Sequence, residues 1–177
     1  MKFSVKSSSF KYIAISISIA AISSLVLFVF FFTPYKVTGV SMLPVVKNGE
    51  KILISKPFIS GKIKRFDIVV AKLKRSERKR ILKRVIGLPG EYIEIRNGNV
   101  MIDNSPLDEP FLINKGDVIF RSINMKLKFI PNDNYFLMGD NRENSSDSRE
   151  LGPFHKDMIV GKPIFRYWPL KRSGFIK

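Results

Sequence analysis

Tyr92-Ile-Glu-Ile-Arg96, Asn97-Gly98, Asn99-Val-Met-Ile-Asp103 is the stretch on which the fold turns. Both runs alternate apolar and polar residues, the period of a half-buried strand. Asn-Gly between them tolerates positive φ at both turn positions, which predicts a two-residue hairpin. Working outward, the same kind of short apolar run recurs at 51–55, 67–73, 81–86, 135–138 and 163–168, punctuated by Gly, Pro, Asn and Asp. No alternation of strands with helical patterns suggests parallel βαβ units. The expected fold class is therefore mainly β and largely antiparallel. Asn104–Asn134, interrupted by Pro106, Pro110, Gly116 and Pro131, is expected to form an appended hairpin or cap within 91–134. His155–Val160 is expected to make one short helical turn before the last strand.

Upstream of this β-rich part, no residue from Ile13 to Phe32 carries a charge. As a helix this run spans about 30 Å, the hydrocarbon thickness of a bilayer. A cleaved secretory signal has a shorter apolar region, about 7–15 residues, before a small-x-small site. Here the run ends in Phe28, Phe30, Phe31 and Phe32 and is followed by Thr33-Pro34, so an uncleaved anchor is expected. Lys2, Lys6 and Lys11 precede it without any acidic residue, which predicts a cytoplasmic N-terminus. The expected organisation is a cytoplasmic segment 1–12, a membrane anchor 13–32 and an extracytoplasmic domain 33–177. At 177 residues the chain is long enough for one core-forming domain.

With 31 Lys and Arg against 15 Asp and Glu, the formal net charge is +16. Every acidic residue lies beyond Thr33, yet that part too remains strongly basic. Anionic lipid headgroups beside the anchor are the expected counter-surface. Nucleic acid is not expected as a partner, because the aromatics sit in the anchor and strand-like runs and not among the basic clusters.

The chain has no cysteine and one histidine, His155. Thiolate chemistry, disulfides and His-rich metal sites are excluded. A Ser–His–Asp triad would need His155, which lies in the surface-turn sequence Gly152-Pro-Phe-His-Lys156. Lysine remains as a base. In Ile81–Ile86, strand alternation sets Lys83 on one face with Ile81 and Val85, and Arg84 on the other. An ordinary lysine of pKa ~10.4 is almost wholly protonated at pH 7. Burial between hydrocarbon walls can lower that value by up to about 3–5 units and make the amine a usable base. On spacing alone, Lys83 reads more readily as the end of the solvated basic stretch 72–84. Ser41, between Gly39 and Pro44 and close to the membrane exit, is a candidate nucleophile, although such a serine is also what an ordinary turn presents. The run Gly139-Asp-Asn-Arg-Glu-Asn-Ser-Ser-Asp-Ser-Arg149 holds no hydrophobe and suits either a hydrogen-bonded shelf or a surface loop.

Taken in order, three of these segments resemble the sequence blocks of type I signal peptidases. Ser41-Met-Leu-Pro44 resembles the nucleophile block, Lys83-Arg-Val-Ile-Gly-Leu-Pro-Gly90 the general-base block, and Gly139–Arg149 the third block. Fainter echoes are Phe66-Asp-Ile-Val-Val70 and Phe165-Arg-Tyr-Trp-Pro169. The resemblance runs from the anchor to Pro169. It implies a coiled, largely antiparallel β catalytic fold and a Ser–Lys endopeptidase that removes signal peptides from exported preproteins after a small-x-small motif. It further implies Ser41 as nucleophile, Lys83 as general base and Ser145 as the group orienting the lysine. Asp140, Arg84, Asp147 and Arg149 would brace the site, and Met42 and Pro44 would shape it. No cofactor and no metal are implied.

The pattern departs in three places: Gly39 where some members carry a hydroxyl donor, Val45 where Thr is common, and Glu91 where Asp is usual. The first resembles the single-anchor enzymes of Gram-positive bacteria and leaves the second oxyanion donor unassigned. Two rival readings remain: a Ser–Lys self-cleaving regulator, and a membrane-tethered basic domain for binding or scaffolding.

Overall fold

An α-helix runs over Lys6–Phe31, and its side chains from Phe10 to Phe30 are exposed. The span Phe10–Phe31 is long and apolar enough to cross a membrane. Its hydroxyls add little polarity; Ser18, for one, donates to Ala14 O one turn back at 2.9 Å. This computed structural model describes residues 6–56, 61–73, 76–112 and 123–176. The first five residues of the expected cytoplasmic segment, residues 113–122 of the expected cap, and Lys74 and Arg75 of the basic stretch lie outside the described residues.

The helix stops one residue short of the expected anchor. Phe32–Lys36 is a strand, β1, which the sequence reading did not foresee. Pro34 cannot continue a helix, and it is tolerated because β1 sits at a sheet edge. The other strands are β2 (Lys51–Ser55), β3 (Ile68–Leu73), β4 (Ser76–Gly87), β5 (Tyr92–Arg96), β6 (Asn99–Ile102) and β7 (Ser105–Pro106). They are followed by β8 (Met125–Phe129), β9 (Asn134–Met138), β10 (Phe154–His155), β11 (Ile159–Trp168) and β12 (Gly174–Phe175). The main sheet runs β1-β2-β11-β3-β4-β9-β10, with β12 on β11, and the smaller runs β7-β6-β5-β8. Every one of these pairings is antiparallel, so the fold is the expected mainly β one.

The hairpin forms as read: Ile93 pairs with Ile102 and Ile95 with Val100, across a turn with Asn97 at φ 50° and Gly98 at φ 79°. β4 begins five residues before the expected Ile81. Its polar first half gains backbone partners from β3, as in the pairing of Lys72 with Arg80. A 3-10 turn at Lys156–Met158 meets the expectation for His155–Val160. The cap region contributes β5 to β8 and packs Ile93, Ile95, Val100 and Ile102 against Ile86, Phe136 and Met138 of the main sheet. Two further clusters fill the main sheet's faces, one around Met42, Val46, Ile52 and Leu82, the other around Val69, Val85 and Leu137.

Candidate active site

Lys83 lies mid-β4, opposite Val69 of β3, with 3% of its surface exposed. Ile81 and Val85 belong to the cluster around Val69 and Leu137, whereas Leu82 and Ile86 belong to the other two. The expected alternation therefore holds, and the hydrocarbon on both sides keeps water from the amine. Burial of this kind lowers the Lys83 pKa to about 8. Asp147 and Asp140 pull upward and Arg149 downward, each less than the loss of water.

Ser41 stands in a turn between β1 and β2. Gly39 takes φ +96°, a conformation that disfavours side chains, and its N–H donates to Asn48 Oδ1 at 3.0 Å. Leu43 N–H closes the turn on Val40 O at 3.1 Å. Met42 is buried among Val37, Val46 and Ile52, so it anchors the turn from beneath. Pro44 follows Leu43 through a cis peptide and is exposed. Ser41 and Lys83 line one cavity of about 560 Å³, together with Tyr35, Thr38, Ile81, Leu82 and Ser146. His155 lies outside that cavity; its Nδ1 accepts from Asp157 N–H at 3.3 Å.

The segment 139–149 joins these two parts. Asn141 N–H donates to Ser41 O at 2.9 Å and its Nδ2 to Val40 O at 3.2 Å, gripping the turn. Gly139 has no room for a side chain, since a Cβ there would lie 2.5 Å from Ser41 O and closer still to Ser145 Oγ. Asp147, fully buried, accepts from Ser145 Oγ at 2.6 Å, Gly139 N–H at 3.0 Å and Arg149 Nε at 2.8 Å. Burial alone would raise the Asp147 pKa, but Arg149, Ser145 and Gly139 overcome it and hold the carboxyl below its ordinary value. Asp140 takes a two-pronged bond from Arg84, Nε at 2.8 Å and Nη2 at 2.7 Å, both partners buried. Because Arg84 follows Lys83 directly, this pair ties the strand that carries Lys83 to the loop. Such fork-to-fork geometry fixes orientation as well as distance.

Thus Ser41, Lys83, Ser145, Asp140, Arg84, Asp147 and Arg149 come together, while Met42 and Pro44 serve the turn that carries Ser41. Ser145 bonds to Asp147, two residues on. Sequence reasoning gave no role to Asn141, which holds the serine's own carbonyl, nor to Arg142 and Glu109, a buried pair behind the loop. It also missed Arg166, which reaches Glu50 at 2.7 Å and Val45 O at 3.1 Å beside the Ser41 turn. Asn141 and Arg142 lie inside the quoted loop, but nothing in their spacing distinguishes a clamp from a solvated residue.

Comparison with known proteins shows the family. The family model described as signal peptidase, peptidase S26, matches residues 10–168, and the chain belongs to that family. It is 42% identical over 171 residues to signal peptidase I P of Bacillus subtilis subsp. natto, covering 92% of this chain and 91% of that protein. It is 34% identical over 169 residues to signal peptidase IB of Staphylococcus aureus strain COL, covering 88% and 87%. The crystal structure of a signal peptidase I from Enterococcus faecalis V583 superposes with a TM-score of 0.50 at 30% identity, covering 58% of this chain and 97% of that one. The chain is accordingly a peptidase, a hydrolase of the signal peptidase class.

Proposed function

We propose that this chain is a membrane-anchored serine endopeptidase that removes signal peptides from exported preproteins, with Ser41 as nucleophile and Lys83 as general base. The observation that carries the reading is that a buried lysine of pKa about 8 and a serine on a constrained turn line the same cavity. A neutral Lys83 takes the Ser41 proton as Oγ attacks the scissile carbonyl, then returns it to the leaving amine. Water then attacks the acyl-serine, again deprotonated by Lys83. Charge developing on the carbonyl oxygen needs fixed donors. The Ser41 N–H, for which no described residue is an acceptor, is suited to that task. Ser145 spends its proton on Asp147, so its oxygen is left with lone pairs to accept from Lys83 and aim it. The modest cavity suits the small residues of a small-x-small motif.

The helix Lys6–Phe31 is the anchor in this reading, with its lysine-bearing end in the cytoplasm and the β domain outside, against anionic headgroups. The test is cleavage of a preprotein by purified protein in detergent, comparing the parent chain with Ser41→Ala. Cutting at the small-x-small site that disappears in the variant supports the reading. Undiminished cutting by Ser41→Ala overturns the nucleophile, and a parent that never cuts favours a tethered binding domain instead.

A further inference from the structure

Two arginines flank the site from behind, and both are met by one short segment of the smaller sheet's module. Arg142 is buried at the base of the 139–149 loop. Its Nε donates to Gly139 O at 3.1 Å, and its own carbonyl accepts from Arg149 Nη2 at 2.6 Å. Its guanidinium fork meets the Glu109 carboxylate through both oxygens, one bond at 3.2 Å and a shorter one from Nη2. Glu109 is 2% exposed, although it lies outside the main sheet, just past β7. Two residues on, the Phe111 ring lies 4.2 Å beneath the Arg84 guanidinium and packs edge-on against Phe66 at 5.3 Å. Phe66 O in turn accepts from Arg84 Nη1 at 2.8 Å. Leu107 seats the start of this segment against the cluster of Ile86, Phe136 and Met138.

We infer that Leu107–Leu112 is a positioning strap, in which Glu109 through Arg142 and Phe111 through Arg84 hold the catalytic loop and the lysine strand in register. The inference rests on the proposed peptidase reading for its kinetic consequence. Glu109 and Phe111 line no part of the cavity holding Ser41 and Lys83, so they act through the arginines and not on substrate. A carboxylate buried to this depth forces its partner into one place, because an unpaired charge there is strongly disfavoured. Arg142 thereby fixes Gly139 O, and with it the backbone that carries Asp140, Asn141 and Ser145.

The experiment uses the full-length protein in detergent with a preprotein substrate. It compares the parent with Glu109→Gln, which keeps size and loses charge, and with Phe111→Leu, which keeps an apolar side chain and loses the ring. Positioning predicts kcat lowered at least about tenfold in Glu109→Gln and about threefold in Phe111→Leu, with KM within about twofold and cooperative melting retained. It also predicts faster amide hydrogen exchange within 139–149. Unchanged kcat per folded molecule, a rise in KM alone, or unaltered exchange in that loop would overturn it. Should Glu109→Gln fail to fold, Phe111→Leu carries the same two readouts. A parent that does not cleave would sink the peptidase reading, whereas loop exchange would still decide the strap.

Discussion

At the scale of single residues, the proposed role of Lys83 rests on its being dehydrated without a direct ion pair to any described residue. Its charged form is disfavoured in the folded state, so kcat/KM is expected to rise with pH around a midpoint near 8. A free lysine would place that midpoint near 10.5, and a pH–rate profile separates the two. Lys83→Ala and Lys83→Arg should both abolish cleavage while keeping the fold, since guanidinium does not surrender its proton in proteins. The same depressed pKa has a consequence for stability. Between about 8 and 10.5 the unfolded chain binds a proton at this position that the folded chain does not, so the lysine's penalty shrinks as pH rises. Lys83→Met is therefore expected to be more stable than the parent at pH 7, by roughly 3 kcal/mol at most. That gap should close as pH approaches 10.5, which denaturant melts at several pH values would show. A dead but stabilised variant is the usual signature of a residue kept for function.

At the scale of elements, the loop 139–149 and the strand β4 work as one object. Gly139→Ala adds a methyl where Ser41 O and Ser145 Oγ already stand, so the loop must move away from the Ser41 turn. Displacement of about 1 Å at such a site costs on the order of a hundredfold in rate. The expected result is a kcat loss of that size together with a stability loss of about 1–3 kcal/mol from overpacking, read by parallel kinetics and calorimetry. Arg84→Met leaves the Asp140 carboxylate buried and unpaired, which should destabilise the protein by about 3–5 kcal/mol in urea titrations. Much of this element-level picture was legible beforehand. Alternation in Ile81–Ile86 placed Lys83 with Ile81 and Val85, and Asn97-Gly98 marked the hairpin. Short strands such as β10 and β12 escaped, and so did β1 and the first half of β4, because neither Thr33-Pro34 nor Arg78-Lys79-Arg80 has the composition of a strand. β1 and the first half of β4 are strands only because β2 and β3 offer hydrogen-bonding edges beside them.

At the scale of the molecule, one apolar helix and one basic β domain meet at Phe31 and Phe32, so in the proposed reading the domain's first strand leaves the membrane face directly. In that reading Ser41 lies in the turn that follows β1, the first strand beyond the bilayer. In membranes of the producing cell, a protease added from outside should digest the β domain and spare the helix. Digestion that requires opening the cell would reverse the orientation argued from Lys2, Lys6 and Lys11. The smaller sheet leans on the main sheet through Ile86, Phe136 and Met138, and that contact brings Glu109 and Phe111 behind the site.

What the sequence determined by itself was local or compositional. An uncharged run of bilayer length, period-two runs with an Asn-Gly turn, and the blocks carrying Ser41 and Lys83 are each read from consecutive residues. The tertiary structure alone decided which strands pair and in what order, with β11 inserted between β2 and β3. It also decided that Lys83 is dehydrated and not solvated, and that Glu109 meets Arg142. The physical reason is that burial and electrostatics depend on groups distant along the chain: Val69 opposite Lys83 with Asp147 and Arg149 acting on its amine, and residue 109 against residue 142. Periodicity reports which way a side chain points, and only the packed molecule reports what it finds there.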